Sequence, residues 1–139
     1  MSDKKITGFI AGCFDIIHPG YIMMIEDARR VCNNIVVALH EDPSIERDSK
    51  YKPINSVKDR EMVLMSLKGV DEVVHYKTEE GLVDLLKQIE PDYRVMGTDY
   101  KGKKFTGDDL GIKTYWHERN HTHSYSNLRN KIRDYHEVI

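Results

Sequence analysis

Apolar and polar residues form short blocks along this chain, and the spacing within the blocks predicts alternating strands and helices. Two continuous apolar runs, residues 6–11 and 35–40, are typical of parallel strands that are buried on both faces. Three shorter runs predict further strands. The five predicted strands cover residues 6–11, 35–40, 70–76, 93–96 and 112–116.

Four helices are predicted between and after these strands, because apolar residues recur there at steps of three and four. The first covers residues 22–32 and the third covers residues 79–89. Ser56 is a capping residue for the second helix, and Gly69 is expected to end it. The residues expected on the buried helix faces are Ile22, Ile25, Cys32, Val63, Leu64, Leu67, Leu82, Leu85, Leu86, Ile89, Leu128, Ile132 and Tyr135.

Strands that alternate with helices predict an α/β fold, a single Rossmann-like doubly wound domain over residues 1–139 with a five-stranded parallel sheet. In such sheets, ligands bind outside the carboxyl ends of the strands. Three turns follow predicted strands, at residues 12–18, 97–100 and 119–126, and they would meet at that edge. The sequence therefore predicts one cleft lined by groups that bind anions.

Composition narrows the functional class. The chain has 139 residues, of which 40% are hydrophobic and 32% charged, as expected for an ordinary soluble domain. A net charge of -2 gives no general attraction to nucleic acid, and no apolar run approaches the length of a membrane span. Cys13 and Cys32 lack metal-site or thioredoxin spacing and are interpreted as reduced thiols. With no signal-peptide pattern at the start, the expected location is the cytoplasm.

The turn after the first strand carries the most distinctive chemistry. Residues 12–21 are G-C-F-D-I-I-H-P-G-Y, between a strand and a helix that opens on proline. A helix start presents unpaired N–H groups to phosphate, and His18 could add a donor or a positive charge. The alternative is a glycine turn with a capping residue. Because no dinucleotide or P-loop glycine motif is present, a hydride-transfer enzyme is disfavoured and a P-loop kinase is excluded.

Two other polar stretches are candidates for ligand contact. The long loop at residues 41–56 carries Arg47, Lys50 and Lys52, which could reach an anionic ligand or could be solvated surface charge. His121 and His123 lie two apart in a late turn. With no further ligands nearby in the sequence, they do not predict a metal site.

Four blocks of this sequence resemble one enzyme family. Residues 12–21 resemble the G-x-F-D-x-x-H-x-G-H signature of the HxGH nucleotidyltransferases, the cytidylyltransferase-like superfamily. Asp59 and Arg60, followed by an apolar helix and the V-D-E-V of residues 70–73, are similar to the middle segment of that family. Residues 95–100, V-M-G-T-D-Y, and residues 119–126, R-N-H-T-H-S-Y-S, are similar to its two later motifs. The blocks occur in order and cover nearly the whole chain.

In length and block content, the chain looks most like glycerol-3-phosphate cytidylyltransferases. The resemblance implies that CTP and a phospho-alcohol react, with Mg²⁺, to give a CDP-alcohol and pyrophosphate, and that the enzyme is a homodimer. A second branch, the heptose-1-phosphate adenylyltransferases, shares the G-C-F-D start and the K-P-I-N loop at residues 52–55. Base and acceptor are therefore left open. A third alternative is a weakly active nucleotide-binding module.

The resemblance also implies a role for each matched residue. His18 would donate to the α- or β-phosphate, Asp15 would orient a lysine or the metal, and Arg119 would make a forked contact to phosphate. Gly97 would allow close backbone approach. The remaining nucleotide-binding residues implied are Gly12, Cys13, Phe14, Gly20, Arg60, Asp99, Ser124, Tyr125 and Ser126, with Lys50, Lys52 and Lys68 as further cations; Ser124 or Ser126 would also cap the last helix.

One position departs from the family signature, since its second histidine is Tyr21 here. A phenol can still donate a hydrogen bond, but with a pKa near 10 it carries no positive charge at neutral pH. Losing one transition-state donor costs on the order of 10²–10³ in rate. We expect activity to be retained because His18 and the Arg119 motif are intact.

Overall fold

The computed structural model describes residues 4–138, with side chains described as far as Tyr135. Strands and helices alternate through the first four strands. The strands are β1 (Thr7–Gly12), β2 (Asn34–His40), β3 (Glu72–Tyr76), β4 (Tyr93–Gly97) and β5 (Thr114–His117), and the helices are α1 (Pro19–Ala28), α2 (Val57–Met65), α3 (Glu79–Ile89) and α4 (Tyr125–Val138). A single 3₁₀ turn, Thr98–Tyr100, follows β4.

All five strands form one parallel sheet in the order β3-β2-β1-β4-β5. The predicted doubly wound α/β fold is confirmed. The order reverses between β1 and β4, where Gly8 and Phe9 pair with Tyr93 and Arg94. At such a reversal the loops leaving the two strands separate and leave a crevice at the carboxyl edge.

The sheet is covered on both faces, which explains the continuous apolar runs. Successive side chains of a strand point to opposite faces, so Phe9 and Ile10 belong to different core clusters. Ile10 packs on the face that α1 and α2 cover, together with Ile25 and Leu64. Phe9 packs on the face that α3 covers through Leu82 and Leu86. The predicted core thiol, Cys32, is buried and unpaired.

Several helix predictions need correction. The first helix ends at Ala28, before Cys32, and on α2 Leu64 is buried but Val63 is 45% exposed. Ile132 and Tyr135 of α4 are also exposed. None of the described helices is long and apolar enough to cross a membrane.

Gly69 does not end α2 as predicted. That helix ends at Met65, with Ser66 at its cap in a right-handed conformation. A Cβ on Gly69 would collide with the Cγ2 atom of Ile25. The absence of a side chain is therefore required by the packing of this connection against α1.

Candidate functional site

The turn between β1 and α1 is held by one buried aromatic ring. Phe14 adopts a left-handed conformation, with φ of 50°, which costs a non-glycine residue on the order of 1–3 kcal/mol. Its side chain is 3% exposed and packs against the Tyr21 ring, with centroids 4.9 Å apart. Burial of the ring offsets the strain, and the chain is turned so that Asp15 and His18 lie at the carboxyl edge.

His18 caps α1 with its side chain. Its Nδ1 accepts the N–H of Gly20 at 3.1 Å, so the neutral ring carries its proton on Nε2. Burial lowers the pKa of His18, and the charges of His123, Arg119 and His121 lower it further. A neutral His18 therefore presents an Nε2–H donor at the start of α1, where Pro19 has no N–H and the N–H groups of Gly20 and Tyr21 are already bonded to His18.

Tyr21 lies against His18. The two rings are stacked, with centroids 4.1 Å apart and planes 28° apart. Burial raises the pKa of the phenol to about 12, with further increases from Cys13 and Tyr125. The phenol is neutral at any physiological pH, and the second cation of the family signature is absent from α1.

The Asp15 carboxylate joins three segments of the chain. It accepts the main-chain N–H groups of Ile54 and Asn55 at 2.8 and 2.9 Å, the Asn55 side chain at 3.2 Å and the hydroxyl of Tyr125 at 2.6 Å. Burial alone would raise the pKa of Asp15, but these hydrogen bonds hold it below its ordinary value. Asp15 is 5% exposed. Its hydrogen-bond partners among the described residues include no lysine, and its predicted role toward a lysine or a metal stays a prediction.

Arg60 also has a structural role, and its predicted contact to a triphosphate or an acceptor stays a prediction. Its guanidinium is buried and donates to the carbonyl oxygens of Asn55, Cys13, His40 and Glu41 at 2.6–3.0 Å. These bonds use four of its five N–H donors. The ends of β1 and β2 are thereby tied to the long loop.

The four predicted cations in the long loop and after α2 lie at different places in the structure. Arg47 pairs with Glu79 at 2.8 Å, and Lys50 lines a cavity described below. Lys52 is exposed and does not line that cavity. Lys68 is exposed and lies three residues before Asp71. The N–H of Asp71 bonds to the carbonyl of Ile35 at the beginning of β2, so Lys68 lies near the amino ends of the strands, away from the carboxyl edge.

The start of α4 lies beside the end of β4. Arg119 donates to Asp99 at 3.3 Å and to the carbonyl of His123 at 3.0 Å, and its main-chain N–H bonds to the hydroxyl of Thr98. A Cβ on Gly97 would lie 2.6 Å from the Cδ of Arg119. Glycine is therefore needed at Gly97 so that the Arg119 side chain can cross the end of β4.

The three hydroxyl residues predicted to bind nucleotide, Ser124, Tyr125 and Ser126, have different surroundings in the structure. Ser124 caps α4, since its Oγ accepts the N–H of Asn127 at 3.0 Å. Ser126 is exposed in the first turn of the helix. The hydroxyl of Tyr125 contacts Asp15 and Arg129, so Tyr125 attaches α4 to the first turn rather than facing a ligand through that group.

Two spaces at the carboxyl edge bring the candidate residues together. The first, which we call the helix cleft, has a volume of about 80 Å³ between the starts of α1 and α4. Its lining residues are His18, Pro19, Thr122, His123, Ser124, Asn127, Leu128 and Lys131. Two helix starts and an imidazole donor in one cleft form a site suited to phosphate.

The second space, which we call the sheet cavity, has a volume of about 280 Å³ and is lined by Gly12 and Gly97 at the ends of β1 and β4. Its polar lining includes Cys13, His40, Arg47, Lys50, Tyr76, Glu79, Arg94, Tyr100, Lys104 and Thr106. The prediction of a single cleft is therefore corrected to two. The described residues contain no group of three or more His, Cys, Asp or Glu side chains placed to hold a metal ion.

Sequence reasoning missed two buried groups of the sheet cavity. His40 is 5% exposed, stacks on Tyr76, and its Nε2 has no partner among the described residues. Arg94 is 6% exposed, lies over the rings of Phe9 and Phe105, and has an unpartnered Nε. Buried polar atoms without partners are rare, so we expect water, an ion or a polar ligand to satisfy these two nitrogen atoms. In the sequence, the signal that could have identified them is a polar or charged residue within an otherwise apolar strand.

Comparisons with known proteins agree with this geometry. A family model described as cytidylyltransferase-like matches residues 9–123. Bifunctional protein HldE of Wolinella succinogenes is 42% identical over 108 residues, which is 77% of this chain and 22% of that protein. Its counterpart from Gluconacetobacter diazotrophicus is 38% identical over 105 residues, or 75% and 22%. The chain therefore spans about a fifth of the length of the curated relatives that it matches.

Solved structures share the fold. The lipopolysaccharide core biosynthesis protein of Thermoplasma volcanium GSS1 has a TM-score of 0.67 at 23% identity, covering 86% of this chain and 100% of that one. Pantoate-beta-alanine ligase of Francisella tularensis, complexed with beta-gamma ATP and beta-alanine, has a TM-score of 0.62 at 18% identity, covering 94% and 67%. At these identities the likeness concerns the fold alone.

We predict that Asp15→Asn destabilises the protein by about 2–4 kcal/mol, because an amide in place of the carboxylate leaves part-buried donors of two segments, the long loop and α4, without a full acceptor. Asp48→Asn, at an exposed position of the same loop, is the matched control. Since the folded pKa of Asp15 is lowered, its contribution is fully present above about pH 4 and is lost as the pH falls through the folded value. The two variants are compared by urea unfolding at pH 7 and pH 3. Equal midpoints at pH 7 would contradict the assigned role.

Proposed function

Because the chain belongs to the cytidylyltransferase-like family, we propose that it transfers a nucleotidyl group from a nucleoside triphosphate to a small phosphorylated acceptor and releases pyrophosphate. The observation that carries this proposal is the helix cleft. There the Nε2–H donor of His18 and the start of α1 face the start of α4, which is capped by Ser124. A triphosphate needs donors of this kind along its length.

Within this family, we propose ATP as the nucleotide and a sugar phosphate of the heptose 1-phosphate type as the acceptor. The relatives named bifunctional protein HldE favour the adenylyltransferase branch over the glycerol-3-phosphate cytidylyltransferase branch. The K-P-I-N segment at residues 52–55, shared with that branch, is bound to Asp15 through Ile54 and Asn55. CTP and glycerol 3-phosphate, the first expectation from the sequence, are therefore the less favoured pair.

The proposed reaction is an in-line displacement. A phosphate oxygen of the acceptor forms a bond to the α-phosphorus, and the bond from that phosphorus to the bridging oxygen breaks. The electron pair leaves with pyrophosphate, and nothing is oxidised or reduced. Since no covalent enzyme intermediate is required, positioning and charge stabilisation supply the rate. His18 would donate Nε2–H to the phosphate oxygens as negative charge develops.

Magnesium would arrive with the nucleotide in this proposal and would neutralise part of the triphosphate charge. The protein carboxylates nearest to the cleft are already engaged. Asp15 accepts four hydrogen bonds, and Asp99 pairs with Arg119. The triphosphate oxygens and water would therefore be the principal ligands of the ion.

The sheet cavity is the proposed acceptor site. The cavity has three cationic side chains outside the Arg47–Glu79 ion pair: Lys50, Arg94 and Lys104. The unpartnered Nε2 of His40 can bond a hydroxyl group. Cations suit the acceptor phosphate, and polar neutral groups suit a sugar ring. Gly12 and Cys13, which begin the β1–α1 turn that leads to His18, line this cavity, so we place the acceptor on the side of the turn facing the sheet cavity.

We predict that pyrophosphate is released faster from Mg–ATP than from Mg–CTP in the presence of a sugar 1-phosphate. His18→Ala should lower the rate by about 10²–10³, since a phosphate donor is lost. The measurement is coupled pyrophosphate release with a panel of acceptors, including heptose 1-phosphate and glycerol 3-phosphate.

His75→Ala is the control for this experiment, because His75 is exposed and pairs with Glu61. A faster reaction with CTP would overturn the choice of nucleotide. If His18→Ala matched His75→Ala, the mechanism would be wrong. Binding of nucleotide without turnover for any acceptor would instead support the nucleotide-binding module.

A second prediction concerns the acceptor site. Lys50→Ala and Lys104→Ala should each raise the KM for the acceptor about tenfold, because a charge-assisted contact to phosphate is lost, and should leave the KM for nucleotide unchanged. Lys87→Ala is the control, since Lys87 lies near the opposite edge of the sheet, beside Asp92. Steady-state kinetics with each substrate varied in turn provides the measurement. A change in nucleotide KM alone would contradict the assignment of the cavity.

A further inference from the structure

The replacement of the second signature histidine leaves α1 with one imidazole at the helix cleft. Tyr21 fills that position, and its ring is stacked on His18. Its phenol has a pKa raised to about 12 by burial. At the start of α1, a triphosphate would therefore contact one imidazole and no second group of that helix able to carry positive charge, although Lys131 of α4 also lines the cleft.

A second imidazole lines the same cleft from the opposite wall. The ring of His123 lies 6.4 Å from that of His18, with the two planes 20° apart. His123 is exposed, and its imidazole nitrogens make no hydrogen bond to any described residue. Both ring nitrogens are consequently available to a ligand between the two helix starts.

The His123 ring also lies 5.4 Å from the His121 ring, and the main chain of His123 is held by two hydrogen bonds. Its carbonyl accepts from Arg119 at 3.0 Å, and its N–H donates to Nδ1 of His121 at 3.2 Å. His121 in turn packs over Gly20, where a Cβ would lie 3.0 Å from its Cε1 atom. The segment of residues 121–123, which we call the His121 loop, is thereby packed against the start of α1.

A hydrogen-bonded pair, His117 and Asp27, lies next to residues 121–123. His117 is 6% exposed and bonds through Nδ1 to Asp27 of α1 at 2.8 Å. The His117 and His121 rings lie 6.1 Å apart, and the Nε2 atoms of both are buried with no partner among the described residues. Asp27 and His117 therefore link α1 to the end of β5 and place the His121 loop against the cleft.

We propose that His123 supplies the second imidazole for the phosphates, in place of the histidine that Tyr21 has replaced. The pair that the family signature places on one helix is then formed across the cleft, with His18 at the start of α1 and His123 before the start of α4. His123 is a catalytic residue in this assignment because it touches the transferred or departing phosphate. This inference rests on the proposed nucleotidyl transfer for its role in turnover.

The decisive experiment is an exchange of positions. His123→Ala should lower pyrophosphate release by about 10², as expected for one lost phosphate donor. Adding Tyr21→His to that variant should restore at least about tenfold of the loss, because an imidazole returns to the same phosphates from α1. A merely structural role for His123 would not be rescued by a substitution on another helix. The double variant failing to recover any activity would overturn the proposal.

A binding measurement separates this inference from the proposed function. Pyrophosphate with Mg²⁺ is titrated by calorimetry into the wild type, His123→Ala, the double variant and the control His75→Ala. Weaker binding in His123→Ala, restored in the double variant, supports the assignment even if the wild type transfers no nucleotide to any acceptor tested. Equal affinity and equal turnover in His123→Ala and His75→Ala would overturn it while leaving nucleotidyl transfer intact.

Discussion

The rest of the site depends on the contacts made by the carboxylate of Asp15. This one buried anion receives donors from the long loop, through Ile54 and Asn55, and from α4, through Tyr125. Asn55 is shared with the buried cation Arg60, because its carbonyl accepts from the Arg60 Nε at 3.0 Å. A buried anion and a buried cation thus meet at a single asparagine. Burial of charge is tolerable only when hydrogen bonds satisfy it, which makes this arrangement specific.

These contacts hold the helix cleft in one arrangement before any ligand binds. The helix cleft consists of two helix starts that belong to distant parts of the sequence, with His18 at one and Ser124 at the other. Asp15 and Tyr125 connect them directly, and Arg129 adds a contact between α4 and the ring of Tyr51 in the long loop. Donors that are already oriented for phosphate stabilise developing charge without reorganisation during the reaction.

Much of the fold and part of the site could be predicted from the sequence. The order of strands and helices follows from apolar runs and their spacing, and the signature turn identified His18 and the start of α1. The sequence was less informative about the roles of the charged residues. Asp15 and Arg60 were predicted to contact ligands, and the sequence does not reveal that Ile54 and His40 are among their partners. Long-range hydrogen bonds decide that question, and they depend on the packed structure.

Helix faces were missed for a related reason. Val63 and Ile132 have the spacing of buried residues, yet both are exposed, since the apolar surface of a helix is buried only where another element covers it. No functional role was predicted for His40, Arg94 or His117, because each is a single polar residue in or beside an apolar strand. Their importance lies in burial with unpartnered nitrogen atoms, which only the three-dimensional arrangement reveals.

The central claim is that two helix starts, joined through Asp15, hold the triphosphate. A crystal structure with Mg²⁺ and a non-hydrolysable ATP analogue tests it most directly. The account predicts phosphate oxygens in the helix cleft, within hydrogen-bonding distance of the His18 Nε2 atom and of the first amides of α4. A triphosphate bound elsewhere, with His18 and Ser124 making no contact to it, would contradict the account.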